Sequence, residues 1–211
     1  MKTDTLIELL ARSAGPAPRA VALRRLAPAA GLGFVVSALL ALTLIGPIPE
    51  SMYGTPVPWI KLAYAGALAA AAGWLAARLA RPISRLAAPR ALVLSVLIAM
   101  ALLGLVAWLS ASRADRMTAL LGSSWLSCPW NVLALSLPGL GAALWAVRGL
   151  APTRPRAAGF AAGMFAGALG ALGYALACQE GSAAFVAVWY TLGIGLTGGL
   201  GALLGPRVLR W

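Results

Sequence analysis

Histidine is missing from this 211-residue chain, and acids are scarce: five Asp and Glu stand against seventeen Lys and Arg. Without histidine, neither a His-ligated haem nor a His-containing metal site can be built. The five acids are Asp4, Glu8, Glu50, Asp115 and Glu180, and none lies in the middle of an apolar run. Ion-coupled transporters place ionisable groups, often carboxylates, inside the membrane, so that class is disfavoured. Charged residues make up only 10% of the chain, against roughly 25% in ordinary globular domains. So few charges cannot cover a water-soluble domain of this size, and lipid must be the solvent for much of the surface. No nucleotide-binding glycine loop is present, because GLGFVV from Gly31 departs from GxGxxG and sits inside an apolar run. No serine or cysteine has a base near it in the sequence, so an enzyme is a poor reading.

What the chain does have is apolar length. Hydrophobic residues make up 61% of it, and they gather into six runs. These extend over about Ala29–Gly46, Trp59–Ala77, Ala91–Ser110, Trp130–Val147, Ala157–Ala177 and Ala183–Leu204. Each is near the ~20 residues that a helix needs to cross hydrocarbon. The runs are continuous rather than alternating, which predicts helices and not barrel strands. The fold expected is therefore an all-α integral membrane domain of six helices over residues 29–206. A segment 1–28 precedes it and a tail 207–211 follows. Residues 1–28 lack a charged start followed at once by an apolar core, so no cleavable signal is expected.

Basic residues fix an expected orientation. Lys2, Arg12, Arg19, Arg24 and Arg25 precede the first run, and Arg78, Arg81, Arg85 and Arg90 follow the second. Arg148, Arg154 and Arg156 follow the fourth, and Arg207 and Arg210 follow the sixth. The opposite side holds only Arg113 and Arg116, offset by Asp115, while Lys61 falls within a helix. Positive charge stays cytoplasmic, so both termini are expected inside. This also explains the net charge of +12 without nucleic acid, since no basic stripe with interleaved aromatics exists. Trp59 and Trp130 at one end of their helices, and Trp74 and Trp145 at the other, suit the aromatic belts of a bilayer.

Three groups of residues stand out. Gly159, Gly163 and Gly167 repeat at four-residue spacing, as do Gly195 and Gly199, and Gly201 and Gly205. Small residues so spaced let helix backbones approach, within one chain or in a homo-oligomer. Near the N-terminus, Asp4, Leu6, Ile7, Glu8, Leu9 and Leu10 form a short amphipathic stretch, with Thr3 or Asp4 as its cap. It reads equally as an interfacial helix or as a docking helix for a cytosolic partner. Third, Cys128 and Cys178 are the only cysteines, and the six-helix topology puts both at one membrane surface, the outer one. They are either a functional thiol pair in an oxidising compartment or inert thiols packed as small apolar residues. No metal site or cofactor is assigned; these two thiols alone could contribute to one. Lys61, the one ionisable candidate inside a run, lies within a turn of its helix end and can snorkel outward, with a direct functional role as the alternative.

Several stretches together carry a resemblance: the N-terminal MKTDTLIELLA, PWIKLAY from Pro58, CPWNVLALSLP from Cys128, and RGLAPTRPRAAGF running through CQEGSAAFVAVWY to the closing LRW. With them the chain resembles the NrsF family of membrane-bound negative regulators of extracytoplasmic-function sigma factors. The resemblance covers most of the chain. It implies an anti-sigma factor of the bacterial inner membrane that holds a cytoplasmic sigma factor and frees it under stress. Heavy metals or oxidants are the implied signals, acting through Cys128 and Cys178. The sequence departs from the family at Ala177, where relatives carry a histidine. That departure weakens a metal-ligand role and leaves a thiol role intact. Two other classes stay open on the residues alone: a small transporter or channel, and a structural membrane subunit. Thr43, Ser95, Ser136 and Thr191 are too few and scattered to line a path.

Overall fold

The computed structural model describes residues 3, 5, 7, 8, 21–81 and 84–210. Among them there is no strand, and six helices are long and apolar enough to cross a membrane. These are α1 (Val21–Leu44), α2 (Pro56–Leu79), α3 (Ala87–Ser110), α4 (Cys128–Arg148), α5 (Pro155–Tyr174) and α6 (Ala183–Val208). The chain is a multi-pass, all-α membrane protein. Proline sits in the first turn of α2, α4 and α5, where its missing N–H is no loss and its fixed φ favours helix entry.

All six runs coincide with helices, but the boundaries differ in an instructive way. The first apolar run begins at Ala29, whereas α1 begins at Val21 and includes Arg24 and Arg25. Apolarity marks only the hydrocarbon-spanning stretch, and the backbone keeps its hydrogen bonds by staying helical through the polar interface. Likewise α6 runs past Leu204 to Val208, taking in Arg207. Helix α1 thus starts ahead of the first apolar run, and α6 ends at Val208.

Helix α5 is the axis of the bundle. Fifteen of its 20 residues are buried, and α1, α2, α4 and α6 all pack against it. By contrast α3 buries only four of 24 residues and touches α2 and the start of α6. Its Leu94, Ile98, Leu102 and Val106 are exposed, as suits a lipid-facing helix. Glycine decides why α5 can be so enclosed. A Cβ on Gly159 would strike the carbonyl oxygen of Gly201; one on Gly163 would strike that of Thr197 and come within 2.9 Å of the Gly198 Cα. On Gly167 it would lie 3.0 Å from the Ile194 Cα. In a bilayer no hydrophobic effect drives helices together, so such backbone approach supplies the packing energy. Gly195 and Gly199 share the spacing but not the place: a Cβ on either meets nothing within 4 Å. They line an outward groove with Leu192, Leu196 and Leu203.

The bundle has two unlike ends. One gathers the starts of α2, α4 and α6 with the loops after α1, α3 and α5, and it carries both cysteines. At the other end the arginines collect. There Arg25 of α1 lies directly over Gly149, just after α4, and Arg78 sits 5.9 Å from the Trp74 ring. Trp59, Trp130, Trp74 and Trp145 are all exposed, the first two at the cysteine end and the others at the arginine end.

Candidate functional site

The cysteine end holds a buried polar cluster built from four helices. Cys128 opens α4 and is 0% exposed; Cys178 follows α5 and is 3% exposed; both are free thiols. Cys178 is carried on tight turns after α5, with its N–H donating to the Tyr174 carbonyl at 2.9 Å. The Cys128 N–H donates to the Ser124 carbonyl at 2.8 Å. The two thiols are close enough to interact with each other, and Tyr174 and Tyr190 interact with both. The tyrosine rings lie 5.6 Å apart. Asn131, one turn after Cys128, donates to the Tyr174 hydroxyl at 3.4 Å. Among the described residues no three of Cys, Asp and Glu gather to hold a metal ion.

Of the two readings open for Lys61, the structure removes the outward one. The side chain does not snorkel outward but is 0% exposed, and its Nζ donates to the Cys178 carbonyl at 2.7 Å. Its position near the start of α2 allows either direction. The choice falls inward because the loop after α5 folds back over the bundle and presents a carbonyl at the right depth. Its charge reaches Cys128 as well. Tyr190 is also fully buried, and among the described residues its hydroxyl has no hydrogen-bond partner. It ends a π-helical turn, Val186–Tyr190, within α6. Such turns shift side chains by one register position and recur at functional sites.

A second contact joins the loops that carry the two cysteines. Glu180 Oε1 accepts hydrogen bonds from the Ser123 and Ser124 backbone N–H groups, both at 2.9 Å. It also accepts from their hydroxyls, at 2.7 and 2.8 Å. Partial burial pushes the Glu180 carboxyl up, but these four donors outweigh it and hold the group below the ordinary carboxylate range. Gly122 lets the loop close, since its φ is +58° and a Cβ there would collide with the Glu180 carboxylate. The clasp ties the segment four residues before Cys128 to the segment two residues after Cys178.

The other singled-out residues lie elsewhere. Ile7 and Glu8 are helical and exposed, while Asp4, Leu6, Leu9 and Leu10 fall outside the described residues. Of the scattered hydroxyls, two bond within their own helix, Thr43 to the Leu39 carbonyl and Ser95 to that of Leu92, and two bond across helices, Ser136 with Thr197 and Thr191 with Tyr64. Sequence reasoning singled out neither Tyr174, Tyr190 and Asn131 nor the clasp. The first and third were legible in principle. Tyr174 precedes Cys178 by four and Asn131 follows Cys128 by three, spacings that share a helix face.

With this geometry in view, the chain can be set beside known proteins. A family described as "Negative regulator of sigma F" (NrsF) matches residues 10–211. A chain from Azospira oryzae named probable anti-sigma-F factor NrsF is 38% identical over 214 residues, covering 100% of both chains. One from Caulobacter vibrioides named anti-sigma-F factor NrsF is 40% identical over 218 residues, again covering 100% of both. No solved structure matches. A match of this extent, spanning every helix and both cysteine-bearing loops, shows that the chain belongs to the NrsF family.

Proposed function

We propose that this protein is a membrane-anchored anti-sigma factor. It holds an extracytoplasmic-function sigma factor at the cytoplasmic face of the bacterial inner membrane. It releases that partner when an oxidant or a heavy metal reaches the Cys128–Cys178 pair on the periplasmic face. The observation that carries the reading is end-to-end similarity to two chains named as anti-sigma-F factors. The orientation rests on the basic residues at the ends of α2 and α4 and before α1, which favour the cytoplasm. The amphipathic stretch around Ile7 and Glu8 then lies on the sigma side, with the arginine-bearing loops beside it.

The signal has to act on the helices themselves. Oxidation of the pair removes one proton from each thiol and passes two electrons to the oxidant; with a peroxide, the products are a disulfide and water. That bond pulls α4 against the end of α5, the axis on which α1, α2 and α6 also pack. Moving a switch from 1% to 99% released takes about 5.5 kcal/mol of preference for the released state. A covalent bond between two helices supplies energy on that scale, whereas a weak surface contact does not.

The test is co-purification of a sigma factor from solubilised membranes, with and without peroxide or cadmium. Capture at rest and loss on stress supports the reading. Cys128→Ser and Cys178→Ser should each fix the output in one state, and the double variant should match the singles. Absence of any sigma factor from the resting complex overturns the anti-sigma assignment. A normal stress response in both single variants overturns the thiol switch.

A further inference from the structure

Helices α1 and α2 both lie on α5 but barely touch each other. Between them runs an apolar groove of about 480 Å³. Leu23, Ala27 and Ala30 of α1 form one wall, Ala70, Gly73 and Trp74 of α2 the other, and the Phe165 ring of α5 lies at the floor. A Cβ on Gly73 would come 3.0 Å from that ring, so glycine lets α2 settle against the floor. Elsewhere the lipid-facing surface carries large side chains, such as Leu94, Ile98 and Leu102 on α3. Here alanine and glycine leave a channel with the width of a hydrocarbon chain. In a bilayer a lipid chain fills such a channel, because a gap beside packed atoms forfeits their van der Waals contact.

The depth and the charge of the groove say which lipid. Its lining on α2 runs from Ala69 to Ala77, about 12 Å at the rise of an α-helix. The hydrocarbon of a bilayer is about 30 Å thick, so the groove is nearly as deep as one leaflet. It lies in the half of the bundle nearer the arginine end. Trp74 is exposed at its mouth, and a tryptophan so placed sits at headgroup depth. The Arg78 guanidinium is 5.9 Å from the Trp74 ring. The turn that ends α2 keeps Arg81 close by: the Arg81 N–H and the Ser84 hydroxyl both donate to the Arg78 carbonyl, at 3.1 and 2.6 Å. Every acid within residues 21–210, namely Glu50, Asp115 and Glu180, belongs to the cysteine end. The helices and loops of the arginine end therefore offer an anion attraction without repulsion. Guanidinium groups match phosphate oxygens in pairs of parallel hydrogen bonds.

We propose that this groove binds one anionic phospholipid of the leaflet at the arginine end, with an acyl chain along Phe165 and the phosphate held by Arg78 and Arg81. Basic pockets between membrane helices take anionic headgroups in this way. The lipid supplies the contact between α1 and α2 that their own side chains make only weakly. The site lies at the opposite end of the bundle from the thiol pair and is independent of the sensing role.

The experiment is native mass spectrometry of the full-length protein in detergent micelles. It is titrated with dioleoyl phosphatidylglycerol or with dioleoyl phosphatidylcholine, whose headgroup has no net charge. One phosphatidylglycerol should bind about tenfold more tightly than phosphatidylcholine. Arg78→Gln with Arg81→Gln should weaken it about 30-fold and leave phosphatidylcholine unchanged. Arg207→Gln with Arg210→Gln removes as much charge from the same end, outside the groove, and should change little. Ala27→Leu with Ala70→Leu fills the groove from both walls and should abolish the tight site, whereas Ala101→Leu, on the lipid face of α3, should not. Free glycerol phosphate in excess should fail to compete. Equal binding of the two lipids overturns the proposal, as does an equal loss in the two arginine pairs. Unchanged phosphatidylglycerol binding in the Arg78 and Arg81 variant or in the filled groove overturns it too. Competition by glycerol phosphate would show arginines binding an anion without the groove, and also overturns it. If the filled variant fails to insert, the arginine pairs and the lipid preference decide.

Discussion

The paired substitutions Gly163→Ala and Gly195→Ala test what the α5–α6 contact contributes. Both glycines sit in helices at four-residue spacing, and each gains about 0.5–1 kcal/mol in helix preference on becoming alanine. They differ in surroundings. The new methyl at 163 meets the Thr197 carbonyl and lies 2.9 Å from the Gly198 Cα, both backbone atoms that cannot rotate away. Overpacking of that kind costs about 1–3 kcal/mol, so the net expectation is a loss of about 1–2 kcal/mol. The methyl at 195 meets nothing within 4 Å, so that variant should be neutral or up to about 1 kcal/mol more stable. Tryptophan fluorescence during reversible unfolding in mixed dodecyl maltoside–SDS micelles reads the difference directly. Equal effects of the two substitutions would refute the claim that backbone approach on α5 holds the bundle. A loss at Gly195 that shrinks on dilution would show instead that the outward groove is covered by a second copy.

Glu180→Gln should loosen the clasp by removing the charge from four hydrogen bonds. Because the folded carboxyl sits below its ordinary range, its contribution is full above the unfolded value and is lost as pH falls through the folded one. The acid limb of a thermal-melt series should therefore flatten in that variant. Reporter fusions after Pro56, Gly122 and Gly181 should read outside, and those after Leu86, Pro152 and Trp211 inside; an outside C-terminus refutes the orientation. Removing residues 1–12 should abolish sigma capture yet leave insertion intact, because Arg19, Arg24 and Arg25 remain to orient the chain. Leu6→Asp with Leu9→Asp should act alike in the same pull-down, by placing charge in an apolar contact. Undiminished capture moves the docking site to the loops around Arg81 and Arg154.

The sequence by itself determined that this is a six-helix membrane protein. Lipid leaves one solution for an apolar run of that length, so composition and run length suffice. It also placed Cys128 and Cys178 at one end of the bundle, since an even number of crossings separates the start of α4 from the end of α5. Glycine spacing announced close packing but not its address. Gly159, Gly163 and Gly167 face α6, whereas Gly195 and Gly199 with the same interval face outward, because rotation about the helix axis is set by neighbours and not by the interval. The direction of Lys61 was equally beyond the sequence. A long side chain near a helix end can reach either interface or core, and only the folded-back loop supplies the Cys178 carbonyl that draws it inward. The convergence of Cys128, Tyr174, Cys178 and Tyr190, and the grip of Glu180 on Ser123 and Ser124, join residues up to 62 positions apart. Such meetings depend on which helices are neighbours. In a bilayer that is decided by how closely backbones can approach, a property of the packed bundle and of no single segment.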